Sequence, residues 1–325
     1  MFRSSSLILL LLWASPIFAA PPPVDIETAA RIYQAAAIRE QVRASLGTMP
    51  EQIRHLFERE VSAKLSEKQL AAVTAAAERG FRIDVFEAPA LAALAQSLDP
   101  ASVAKSEAFL ASDLGRRMVA ADVAAAYLGH EKIDKIMDGD LTAPSTPKRD
   151  ALFEQLERAT RSAESTAQVF LSMGQSVAVG TAIGSGQDAV AVGERVAKSS
   201  AASRAGLEED MRVPMRRFLA YAYRDLSDAD IKRLLTFLHS PAGNRYVNAY
   251  NDCMEAGFEA MGKRTGEQLG ESLRELAQAE YDQPAHSQAP AGIAAPAEPP
   301  ARGAPGAPGT PPAAPVPDAA PLQPR

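Results

Sequence analysis

Hydrophobic positions recur along this chain at helical spacing almost without interruption from about residue 25 to 281, and alternating β-branched runs of strand type are absent. Residues 27–46 place Ile32, Ala36, Val42 and Leu46 along one side, with Gly47 as a stop. Pro50 suits a first helical position, followed by the stripe Ile53, Phe57 and Val61. Ser66 to Gln69 spells a capping box ahead of Leu70, Val73 and Ala77, and Gly80 closes that run. A long apolar face then passes through Met118, Val123, Tyr127, Ile133 and Met137. Turn formers from Asp138 to Pro147 mark the best internal boundary. A helix is expected from about 149, then a Gly/Ala/Val stretch at 172–193, then a helix over about 207–225.

Part of this pattern occurs twice. Positions 98–121 return without a gap at 226–249, an offset of 128, with nine identities over 24 positions. Chance supplies roughly two. The shared residues are Leu98/Leu226, Ala101/Ala229, Phe109/Phe237, Leu110/Leu238, Ser112/Ser240, Gly115/Gly243, Arg117/Arg245, Val119/Val247 and Ala121/Ala249. The period is too long for a solenoid. It predicts an all-α, multi-helix bundle made of two related helical halves, 20–140 and 141–282.

Read physically, the repeat is a helix-corner-helix. In the second copy Ser227 is a good N-cap, with Asp228 and Asp230 in the first turn, and Ile231, Leu234, Leu235 and Leu238 form the buried stripe. Ser240 caps the next helix, Pro241 takes its first position, and Gly243 permits a close backbone approach. In the first copy Asp113 replaces the proline after Ser112, which predicts a softer corner. Phe109 and Phe237 are expected to plug the two angles. Arg117 and Arg245, two residues past Gly115 and Gly243, are suited either to an anion or to pairing with a nearby acid while their stems cover apolar surface.

These residues also resemble a family. Leu226, Ser227 and Ile231, followed by Phe237, Leu238, Ser240, Pro241, Gly243 and Arg245, are similar to the signature of exported bacterial proteins catalogued as domain of unknown function 2059. The likeness is best over about 207–275 and weaker over the first half; Leu238 stands where an aromatic is more usual. The resemblance implies an all-helical fold and export, and no activity.

The ends agree with export. Residues 1–19 read as a signal peptide, with Arg3 as the positive region, Leu7 to Trp13 as the apolar region and a cut near Ala19. The apolar stretch falls short of the ~20 residues of a spanning helix, so no transmembrane segment is expected in the mature protein. Residues 283–325 are rich in Pro, Ala and Gly and are expected to be a disordered tail. The net charge of −6 grows by one negative unit once Arg3 leaves, and no basic block occurs, which argues against nucleic acid. Cys253 is the only cysteine, so no internal disulfide forms.

Candidate chemistry is sparse. His55, His130, His239 and His286 are scattered without metal-ligand spacing, so no metal or other cofactor is implied and no catalytic residue is assigned. Cys253 reads as a small packed residue rather than a nucleophile served by His239. Gly180 to Gly186 lacks the ending and preceding strand of a phosphate loop. Ser176, Gly180 and Gly184 either line a tight helix contact or mark a looped stretch. The expected function is a periplasmic or secreted binding module for an envelope protein, peptide or lipid, in a groove between the halves. The alternative is an envelope enzyme gathering Arg117, Arg245, His130 and His239 in one cleft.

Overall fold

The computed structural model describes residues 23–47 and 66–282. Among them the chain forms twelve α-helices and no strand. They are α1 (Ile26–Ala35), α2 (Ile38–Leu46), α3 (Glu67–Gly80), α4 (Ile83–Ser97), α5 (Pro100–Leu110) and α6 (Asp113–Ala126), then α7 (His130–Asp138), α8 (Pro147–Thr160), α9 (Ser162–Ser185), α10 (Ala189–Ala222), α11 (Asp228–Leu238) and α12 (Pro241–Asp282). The leader, the stripe of Ile53, Phe57 and Val61, and the tail lie outside the described residues.

Local signals place most of these ends. The Ser66/Gln69 capping box forms in both directions. Thr146 caps α8, with Pro147 at its first position. Two departures have clear causes. The single helix expected over 27–46 breaks at Ala37, whose φ of 50° turns the chain so that Ile32 on α1 and Ile38 on α2 both become fully buried. Tyr127, expected on the apolar face, is 66% exposed, because α6 ends at Ala126 and Ile136 enters the core further on.

One connected core draws on α1 to α6 and on α8, α10, α11 and α12. Phe86, Leu94 and Leu98 from the first half and Phe153, Leu156, Ile231, Leu234 and Met261 from the second are all essentially inaccessible to water. The two halves therefore share a single interior. Its spine is α12, 42 residues long, or about 63 Å at 1.5 Å per residue. Along it lie α4, with the Phe86 ring edge-on to Phe258 at 5.5 Å, and α3, with Arg79 bonded to Gln268 at 2.8 Å.

The longest contact joins α9 to α12, and the two run in the same direction. Arg161 meets Asn248, Gln168 meets Glu255, and Gly184 meets Glu267. Both faces are built of small residues. Ser176, Gly180 and Gly184 on α9 oppose Gly262, Gly266 and Gly270 on α12, and a Cβ on any of these five glycines would overlap partner backbone. The Gly/Ala/Val stretch is thus helical as far as Ser185, where Gly186 caps it at φ 76°.

Candidate functional site

The repeated corners take matching local shapes. Ser112 accepts from the Gly115 amide at 3.0 Å and donates to the Phe109 carbonyl at 2.6 Å. Ser240 makes the same bonds to Gly243 and Phe237, again at 3.0 and 2.6 Å. The serine cap thus makes the same two bonds whether Asp113 or Pro241 follows it. Gly115 and Gly243 are needed because a Cβ there would collide with the carbonyl that ends the preceding helix, of Phe109 or Phe237. The backbone that approaches is the corner's own.

The corners also face one another. The Phe109 and Phe237 rings stack at 3.8 Å, with planes 4° apart, so each aromatic meets the other instead of filling its own angle. The helix-start boxes use exchanged residue types. Asp99 caps α5 with Ser102 at the third position, while Ser227 caps α11 with Asp230 there. Each acid then meets the arginine of the opposite corner. Arg117 donates two bonds of 3.0 Å to Asp230, and Arg245 Nε lies 3.5 Å from Asp99. Arg117, with Arg233 and Ser227, holds the Asp230 carboxyl far below the usual carboxylate range.

A second carboxylate behaves oppositely. Asp122 on α6 accepts from the Tyr223 hydroxyl at 2.6 Å, and burial pushes its pKa up to about 7 against that one favourable bond. Beside the same interior, burial raises the Cys253 thiol to about 12, leaving it protonated and unreactive at neutral pH.

Arg245 leads from the corner to a cleft of about 620 Å³ between α4, α9, α10 and α12. The first half contributes Gln96 and Ser97, and the second Arg161, Gln168, Arg204, Glu208, Asp252 and Glu255 among others. Seven of the fourteen lining residues are charged, and Val169 is the sole aliphatic one. Arg161, which joins α8 to α9 in a left-handed conformation (φ 54°), donates to Glu164 and Asn248 at 2.9 Å each. Asp252 accepts from Ser97 at 2.5 Å, and Glu255 from Gln168 and Ser172 at 2.5 and 2.7 Å. All three donors are neutral.

Of the residues singled out from sequence, only Arg245 lines this cleft. Arg117 is engaged by Asp230 and Asp113. His130 lies 3.1 Å from Asp134 on α7, and His239 is the C-cap of α11. Neither lines the cleft, so the four-residue gathering expected for an enzyme does not form there; His55 and His286 lie outside the described residues. Among the described residues no group of three or more His, Cys, Asp or Glu side chains is arranged to hold a metal ion, and no helix is long and apolar enough to cross a membrane. Arg204, Glu208, Asp252 and Glu255 carry no sequence signal. They line one cleft from helices nearly fifty residues apart in the chain, and each alone reads as ordinary helix-surface charge.

No family model matches the chain, and no curated protein and no solved structure matches it.

Proposed function

We propose that this protein is an exported binding module of the cell envelope, holding a small polar ligand in the cleft between its two helical halves. One observation carries this reading: a cleft of small-ligand size, walled by both halves, whose charges are incompletely matched within the protein. Its volume falls in the range of about 300–1,000 Å³ typical of ligand sites. The signal-like N-terminus and the likeness to exported proteins of domain of unknown function 2059 support the compartment. The matching corners, with their exchanged Asp and Ser, support descent of both halves from one ancestral unit, which would make the cleft a product of doubling. Binding is favoured over catalysis because the lining offers guanidinium, amide, hydroxyl and carboxylate groups, with neither an imidazole nor a thiol beside a partner base.

A photoreactive residue in place of Ser165, inside the cleft, tests the proposal in intact cells. It is expected to capture one envelope component, and the same probe at Glu209, outside the lining, is expected not to. Equal capture from both positions, or none from Ser165, would overturn it.

A further inference from the structure

An exposed ion pair is worth up to about 1 kcal/mol and costs side-chain entropy to hold, so lining charges that the protein leaves unpaired stay available to a ligand. The cleft presents such charges on both walls. On α12, Asp252 and Glu255 are anchored by neutral hydroxyl and amide donors, and neither has a cation within 4.0 Å among the described residues. Arg245 is ion-paired with Asp99, its Nε 3.5 Å from the carboxylate, yet its guanidinium donates no hydrogen bond among the described residues. On α10, Arg204 and Glu208 make neither an ion pair nor a hydrogen bond among the described residues. Arg204 on one wall and Asp252 and Glu255 on the other thus stand without an ion-pair partner around one volume, and Arg245 keeps a guanidinium free of hydrogen bonds beside them.

The spacing along α12 orders these charges. Arg245 precedes Asp252 by seven residues and Glu255 by ten, which is about 10 and 15 Å along the helix axis. We infer that the cleft takes a short zwitterionic peptide, about three or four residues long, lying along α12. Its carboxylate rests at Arg245 and the unpaired Arg204, and its ammonium at Asp252 and Glu255. An extended chain rises about 3.3 Å per residue, so this length spans the two ends. A purely anionic ligand would meet Asp252 and Glu255, and a purely cationic one would meet Arg245 and Arg204. Either would leave an opposing charge stripped of water without a partner, which is costly. The amides of Asn248 and Asn251, between Arg245 and Asp252 along α12, suit peptide N–H and C=O groups.

This inference rests on the cleft being a binding site, and calorimetric titration of the full chain tests it separately. The ligands are tri- and tetra-alanine with free ends, the same peptides acetylated at the amine, and the same peptides amidated at the carboxyl. Free-ended peptide is expected to bind, and either cap to weaken it at least tenfold. Glu255→Gln with Asp252→Asn is expected to reduce the loss caused by acetylation to under threefold, and Arg204→Gln to weaken the free-ended peptide while leaving the melting temperature unchanged. Equal affinity for free and capped peptides would overturn the assignment even without the variants. Absence of peptide binding would overturn it too; capture from Ser165 alongside that result would leave the binding module standing, and its failure would remove both.

Discussion

Asp230 meets a local and a distant demand with the same two oxygens. Its own helix needs an acceptor for the Ser227 amide, 3.2 Å away, and the opposite corner needs an anion for Arg117. Asp230→Ala is expected to destabilise the fold by about 1–3 kcal/mol, the lower end allowed by partial solvation of Arg117; chemical denaturation reads the change. Because the folded carboxyl ionises far below its unfolded value, its stabilisation is complete above the ordinary carboxylate range and fades as pH falls below about 4. Asp230→Asn should flatten that acid limb. Asp122 has the reverse sign. Its folded pKa of about 7 exceeds the unfolded value, so the fold is favoured at low pH and loses stability as pH climbs from about 4 to about 7, where the loss is complete. Asp122→Asn keeps an acceptor for Tyr223 and is expected to melt higher than the wild type at pH 8. The two should converge near pH 4 if melting is followed across that interval.

At the scale of the helix, glycines of one composition have opposite meanings. Gly180→Ala drives a methyl group into the Lys263 carbonyl and should cost at least 2 kcal/mol. Gly174→Ala, six residues earlier on α9 beside nothing but open space, should stabilise by up to about 1 kcal/mol. Thermal melts of the two variants separate a built contact from a tolerated weak spot. The stacked rings make a similar case. A double-mutant cycle on Phe109→Ala and Phe237→Ala is expected to return a coupling of about 0.5–1.5 kcal/mol. Sequence pattern located the caps and corners well because Ser66, Ser112, Ser227 and Ser240 act within three residues of themselves. It missed the break at Ala37, where a residue with high helix propensity adopts a left-handed conformation because burial of Ile32 and Ile38 outweighs the backbone penalty. It also left the small-residue face of α9 open, since the partner that decides it lies some eighty residues downstream.

For the whole molecule, helical class was legible from periodicity, whereas the cleft was not. Its walls come from α4, α9, α10 and α12, and only their three-dimensional arrangement reveals that Arg204 shares a volume with Asp252 and Glu255. Arg149 shows the same limit. It is 13% exposed and fastens the α10–α11 turn through Asp228 and the carbonyls of Tyr223, Arg224 and Leu226, yet nothing near it in sequence announces that role. The shared interior carries a prediction at this scale. A fragment of residues 20–140 loses every α12 surface against which Phe86 packs, so it should retain helical signal and melt without a cooperative transition. A sharp two-state melt by circular dichroism would show the first half to be self-sufficient.

Because α9 and α12 point the same way, the polypeptide has to travel back the full distance before it can lay down the second of them. That return journey is α10, 34 residues long, which buries nothing fully until Leu219. Its extent is therefore a debt of topology rather than of packing, and its first half is released from the usual pressure to be greasy. Apart from Arg204 and Glu208, which line the cleft, the side chains of that stretch can change freely, provided the distance travelled stays the same.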